Sequence, residues 1–177
     1  MQVEISPEVI CVLKRVLIII LSLLSLFVFT ACGGVKPAAQ SDGKLAVSVT
    51  FDALGEFARA VGGEKVDVSV IIPTGIEPHD FEPKAQDLVG LTSADVFVYN
   101  GLGMEAWVDD AVSAANNKTL VVVDASTGAD AIVNTDKGEI ADHGQYDPHL
   151  WLGVKGAETE VANIKNAFVQ ADPANKR

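Results

Sequence analysis

Residues 44–72, KLAVSVTFDALGEFARAVGGEKVDVSVII, have the pattern of a strand, a helix and a second strand. The first and last seven residues are rich in apolar and β-branched side chains, which favour strands. Between them apolar residues recur at helical spacing until Gly62 and Gly63 end the helix. Both strands are too continuously apolar for a sheet with one face in water. The stretch therefore predicts a parallel sheet that is covered on both faces.

The same alternation continues towards the C-terminus. The sequence pattern predicts strands at 95–99 and 119–123, helices at 84–91, 104–115 and 154–170, and a long loop at 124–148. This order indicates an α/β fold, a parallel sheet flanked by helices on both faces. Open sheets of this kind place ligands beyond the carboxyl ends of their strands. Asp172-Pro173 is typical of a helix start, so we expect residues 44–177 to be the front part of a longer protein.

The N-terminal segment has the features of an export signal. Lys14 and Arg15 precede an apolar run at 16–29 that is shorter than the ~20 residues of a membrane span. Small residues and then Cys32 follow, which predicts a lipoprotein signal at 1–32 with lipid on Cys32. An ordinary secretory signal with an incidental cysteine and an uncleaved anchor are the alternatives. Residues 33–43 are small and polar, which is typical of a flexible tether.

The composition limits the classes of partner. The formal net charge is −11, and it stays −11 without residues 1–32, which hold two basic and two acidic residues. An acidic protein is a poor partner for nucleic acid and a mildly favourable one for cations. Solubility after export explains the charge equally well. With Cys11 in the signal and Cys32 lipidated, no disulfide is expected, so the domain depends on its apolar core.

Two of the three histidines lie in proline-containing turns, Pro78-His79-Asp80-Phe81-Glu82-Pro83 and Asp147-Pro148-His149. Proline stiffens a turn, and a stiff turn can present an imidazole as a preformed metal ligand. Imidazole suits zinc, whereas carboxylates and water suit manganese. The histidines are 70 residues apart, so they can share an ion only if the fold brings both turns to one edge of the sheet. The alternative is that each is a solvated surface residue.

Acidic residues beside these turns are candidates for further ligands or for acceptors that orient a ring. They are Glu77, Asp80, Glu82 and Asp147. His143 either collects metal weakly or has no role in binding. We interpret three other acidic residues as a solvated helix face and both tryptophans as packing residues. These are Glu105, Asp109, Asp110, Trp107 and Trp151.

Three motifs that follow the export signal resemble, in the same order, the zinc/manganese substrate-binding lipoproteins of ABC importers. They are GIEPHDFEP at 75–83, YNGLGMEAW at 99–107 and DPHLWL at 147–152. The resemblance implies one lobe of a two-lobed periplasmic-binding-protein-like fold, with His79 and His149 as the two metal ligands of the N-terminal lobe. It also implies that 44–177 is this lobe and that the C-terminal lobe, which supplies further ligands, is absent.

By this resemblance the chain is an extracytoplasmic receptor, lipid-anchored at the cell surface or in the periplasm. It would capture a divalent cation, Zn(II) first and Mn(II) second, and deliver it to an ABC permease without acting as an enzyme. A surface adhesin with the same fold is one alternative. A metal-dependent hydrolase is another, but the chain has no His-Glu-x-x-His motif.

Overall fold

The computed structural model describes residues 43–176. Its strands are β1 (Leu45–Val49), β2 (Val66–Val70), β3 (Val96–Tyr99) and β4 (Val121–Asp124), and its α-helices are α1 (Asp52–Gly62), α2 (Val108–Ala115), α3 (Lys137–His143) and α4 (Val154–Ala171). Short 3-10 helices lie at Gly63–Lys65, Pro78–Asp80, Val89–Thr92, Leu150–Leu152 and Pro173–Asn175. The predicted signal with Cys32, and the tether up to residue 42, lie outside the described residues. None of the helices within 43–176 is both long enough and apolar enough to span a membrane.

The four strands form one parallel sheet in the order β2-β1-β3-β4. Val47 in β1 lies opposite Val68 in β2 and Val96 in β3. Neighbouring parallel strands must be joined by a crossover connection, and α1 forms the connection between β1 and β2. The parallel α/β architecture predicted from the sequence is confirmed.

Helical elements cover both faces of the sheet. Successive strand residues point to opposite faces. Val96 and Val98 pack with Leu54 of α1 and Ile164 of α4. Phe97, between those two valines, packs into a second cluster with Leu91, Val108 and Ala111, on the face that is covered by α2 and the 3-10 helix Val89–Thr92. Val96, Val98, Leu54 and Ile164 are all 0 % exposed, so the sheet is the centre of the core.

Three local predictions differ from the structure. The helix predicted at 84–91 is wrong, because the Asp87 carboxylate accepts the Lys84 N–H at 2.8 Å and closes a turn instead. Helix α2 begins at Val108 rather than at 104, since the chain is still in the turn that Gly101 starts. The loop predicted at 124–148 contains helix α3 and an isolated antiparallel bridge between Val133 and Tyr146.

Candidate metal site

The first histidine lies in a turn beyond the edge strand β2. The chain leaves β2 at Val70, continues beside β1 through two further backbone hydrogen bonds, and forms the 3-10 helix Pro78–Asp80. Phe81 then packs edge-on against Trp107, with ring centroids 6.1 Å apart. This contact seats the turn on the rest of the domain. The side chain of His79 is partly buried, and its Nε2 atom is fully buried.

The second histidine lies just before the 3-10 helix Leu150–Leu152. The buried Asn100, at the end of β3, donates its side-chain amide to the Pro148 carbonyl at 2.9 Å. On the other side, the ring of Trp151 lies 5.2 Å from that of His149 and 4.7 Å from that of Phe51. The turn is therefore held from both sides.

The structure brings the two imidazoles together. The ring centroids of His79 and His149 lie 5.5 Å apart, with an angle of 58° between the ring planes. Zinc–nitrogen bonds of ~2.0–2.1 Å at a tetrahedral angle would separate the centroids of two ligating imidazoles by roughly 5 Å. The pair therefore has the spacing that one shared cation requires.

Asp147 determines which ring nitrogen of His149 faces outward. Its Oδ1 lies 2.7 Å from the ring Nδ1 and accepts the backbone N–H of the same histidine at 3.0 Å. A carboxylate at Nδ1 favours the tautomer that carries its proton there, which leaves Nε2 for a metal. Asp147 therefore orients the ring of His149.

A buried carboxylate lies behind this edge of the sheet. Glu105 is only 6 % exposed, which corrects our interpretation of it as part of a solvated helix face. It accepts hydrogen bonds from the Thr50 hydroxyl at 2.6 Å, the Asn100 N–H at 2.9 Å and the Gly101 N–H at 3.2 Å. Burial raises the pKa of Glu105 above its usual range, and these hydrogen bonds oppose the rise. The carboxylate ties together the ends of β1 and β3.

A second buried glutamate lies on α4. Glu160 is 0 % exposed, and within 43–176 neither of its carboxyl oxygens has a hydrogen-bond partner. Burial, and secondly the charge of Glu105, raises the pKa of Glu160 to about 7. Near neutral pH this side chain is therefore protonated in a large fraction of the molecules. Helical spacing from Ile164 and Ala167 places Glu160 on the buried face of α4, a signal that sequence reasoning overlooked, whereas no sequence pattern marked Glu105 as buried.

No other candidate side chain in the described part of the chain forms a metal-holding group with the histidine pair. Glu77, Asp80 and Glu82 are exposed. His143 is the last residue of α3, and its side chain lies outside the described part of the chain. Among the described residues there is no group of three or more histidine, cysteine or acidic side chains that could hold a metal. The described chain thus offers two imidazole donors.

An open cleft of ≈ 1090 Å³ runs beside His149 and along the first turns of α4. Its walls include Ile132, Leu152 and Val154, which are 69 %, 76 % and 78 % exposed. Gly156 also lines the cleft, and a Cβ atom there would overlap the Leu150 carbonyl oxygen. Sequence reasoning missed this glycine, because its close approach comes from the angle at which α4 leaves the histidine turn.

The sequence is similar to those of proteins that are named for metal binding and zinc uptake. The family model described as "Zinc-uptake complex component A periplasmic" matches residues 47–177. A "Putative metal-binding protein" of Treponema pallidum is 42 % identical over 142 residues, which cover 76 % of this chain and 45 % of that protein. The "High-affinity zinc uptake system protein ZnuA" of Bacillus subtilis is 38 % identical over 157 residues, covering 82 % and 49 %.

A solved structure shares the fold. The metal-dependent lipoprotein YcdH of Bacillus subtilis superposes with a TM-score of 0.65 at 40 % sequence identity, over 75 % of this chain and 47 % of that one. The chain spans about half the length of the curated relatives it matches.

Proposed function

Because the chain belongs to the family of periplasmic zinc-uptake components A, we propose that it is an extracytoplasmic receptor for a divalent cation. Residues 44–177 form its N-terminal metal-binding lobe, and His79 and His149 are the two ligands of that lobe. The receptor captures the ion and delivers it to the membrane permease of an ABC importer. The observation that carries this proposal is the 5.5 Å separation of the two imidazole centroids at the carboxyl edge of the sheet.

The donor set favours Zn(II) as the cargo. Two imidazole nitrogens suit zinc, whereas manganese prefers carboxylate and water oxygens. Mn(II) is the second candidate, because the exposed Asp80 and Glu82 lie in the same turn as His79. A zinc site usually has four donors, so we expect residues 44–177 alone to bind weakly. The remaining donors would come from water or from a second lobe.

We place the receptor outside the cytoplasmic membrane, at the cell surface or in the periplasm. Lipid on Cys32 holds it there, and residues 33–43 form the tether. The acidic chain is not suited to bind nucleic acid. Relatives are named for metal binding and zinc uptake, which supports a receptor rather than an enzyme and does not favour an adhesin.

A zinc titration of the detergent-solubilised 177-residue chain, read by competition with a fluorescent chelator, tests the proposal. We expect one-to-one binding that His79→Ala and His149→Ala each weaken by at least tenfold. His143→Ala is the matched control, since it removes the third histidine, and it should leave the Kd within about twofold. If both single variants bind zinc as tightly as the wild type, the two imidazoles are not the site. A parallel titration with Mn(II) decides between the two cargoes.

A further inference from the structure

We propose that Asn100 is a positioning residue of the cation site: it fixes the Pro148–His149 peptide to the sheet and so holds the His149 ring opposite His79. The inference rests on the proposed function for its consequence on metal binding. The geometry itself rests on hydrogen bonds among the residues of the chain.

The side-chain amide of Asn100 bridges two segments that are far apart in sequence. Asn100 follows the last residue of β3 and is 0 % exposed. Its Nδ2 donates to the Gly101 carbonyl at 3.1 Å and to the Pro148 carbonyl, 48 residues later, at 2.9 Å. Both hydrogens of the Asn100 side-chain amide are thus engaged in hydrogen bonds. A buried amide that makes two such bonds has little freedom to move, because losing either would leave a buried polar group unsatisfied.

Asn100 is itself held in place by the buried Glu105. One oxygen of that carboxyl group accepts both the Asn100 backbone N–H at 2.9 Å and the Thr50 hydroxyl at 2.6 Å. One buried carboxyl group therefore satisfies both the Asn100 N–H and the Thr50 hydroxyl. A continuous chain of hydrogen bonds therefore runs from the end of β1 through Glu105 and Asn100 to the carbonyl of Pro148.

The Pro148 carbonyl and the His149 N–H belong to one planar peptide unit. Asn100 holds the carbonyl side of that plane at 2.9 Å, and Asp147 holds the N–H side at 3.0 Å. Fixing both sides of the plane fixes the position of the His149 Cα atom. Asp147 lies in the same turn as the histidine, whereas Asn100 belongs to the sheet edge. The bond from Asn100 therefore ties the orientation of the turn to the core.

Asn117 offers a matched control within the same chain. Its side-chain amide also bridges two carbonyls, those of Leu91 at 3.1 Å and Ala94 at 2.8 Å. Ala94 precedes β3, whereas Asn100 follows it, so the two clamps lie at opposite ends of the strand. Asn117→Ala removes the same pair of amide-to-carbonyl bonds as Asn100→Ala, together with two bonds that its Oδ1 accepts from Thr119, without touching the histidine turn.

The first test is geometric and needs no metal. Because the 177-residue chain has three histidines, labelling only histidine with ¹³C and ¹⁵N leaves three imidazole spin systems in the detergent-solubilised protein. We expect a nuclear Overhauser effect between the rings of His79 and His149 in the wild type and in Asn117→Ala. We expect it to be lost in Asn100→Ala and in Asn100→Asp, which keeps the shape but cannot donate. Retention of the effect in both Asn100 variants overturns the proposal.

The second test measures zinc affinity on the same proteins. Partners that orient a ligating histidine typically contribute ~10–100-fold to metal affinity, so both Asn100 variants should bind zinc at least tenfold more weakly, and Asn117→Ala within about twofold of the wild type. An unchanged affinity in the Asn100 variants overturns the positioning role while leaving the receptor proposal intact. If His149→Ala binds zinc as tightly as the wild type, the receptor proposal is overturned. The nuclear Overhauser effect between the rings of His79 and His149 still decides the role of Asn100.

Should the Asn100 variants fail to fold, the wild type supplies the deciding measurement. The side-chain amide protons of Asn100 should exchange slowly with solvent and should shift on zinc addition together with the His149 ring signals. Fast exchange, or signals that stay fixed while those of His149 move, overturns the proposal.

Discussion

One oxygen of Asp147 contacts two nitrogens of His149, the backbone N–H at 3.0 Å and the ring Nδ1 at 2.7 Å. Asp147→Ala removes both contacts and frees the ring to rotate. We expect zinc to bind ~10–100-fold more weakly in this variant. Asp147→Asn keeps an oxygen acceptor but loses the charge, so its effect should be smaller. Competition titrations of both variants measure the difference, and equal affinities for wild type and Asp147→Ala would contradict the orienting role.

The buried Glu160 should make stability depend on pH. Its pKa is raised from 4.5 to about 7, so the folded chain binds this proton more tightly than the unfolded chain. The free energy of unfolding should therefore fall as pH rises from about 4.5 to about 7 and level off above, by at most about 3 kcal/mol. Glu160→Gln should flatten this part of the profile, which urea denaturation at several pH values measures. Glu158→Gln, an exposed neighbour on the same helix, is the control. A profile that Glu160→Gln leaves unchanged would refute the assignment.

Gly156 should be intolerant of a side chain. A Cβ atom at this position would overlap the carbonyl oxygen of Leu150, so Gly156→Ala must displace either α4 or the histidine turn. We expect a loss of ~1–3 kcal/mol in the free energy of unfolding and weaker zinc binding. In Gly153→Ala the new Cβ would lie an ordinary 3.7 Å from the same oxygen, so it should change stability by less than ~0.5 kcal/mol. Equal denaturation midpoints for the two variants would refute this explanation.

The proposed lipid on Cys32 predicts where the protein is found in the cell. Cys32→Ser should stop incorporation of labelled fatty acid and move the protein from the membrane fraction to the soluble extracytoplasmic fraction. Unaltered labelling in this variant would place the lipid on another residue. The wild type and His79→Ala serve as controls, since both keep the cysteine.

The sheet could be predicted from the sequence because its strands are short apolar runs with β-branched residues, as in 66–72. The carboxyl-end rule for parallel sheets placed His79 at one edge of the sheet. The convergence of His149 on the same edge was only a condition of the metal-site hypothesis, and the 5.5 Å separation of the two rings did not follow from the sequence. That distance depends on the path of two loops. Local residue patterns do not encode a contact such as that between Asn100 and Pro148.

The burial of Glu105 was missed for a specific reason. Starting the helix at 104 gave Glu105 a place on the solvent face, whereas α2 begins at Val108 and Glu105 lies in the preceding turn. Helical periodicity carries no information about a residue outside the helix. The hydrogen bonds from Thr50 and Gly101 offset the free-energy cost of removing the carboxylate from water.

The two histidine turns follow the two edge strands of the sheet in the chain, His79 after β2 and His149 after β4. A cation held by both rings would bridge two residues that are 70 positions apart. Because the unfolded chain does not present both rings together, binding would stabilise the folded state by mass action. Loaded protein should therefore resist proteolysis longer than empty protein, and a chelator should restore rapid digestion. Cation binding and resistance to unfolding would then be coupled through the same two side chains.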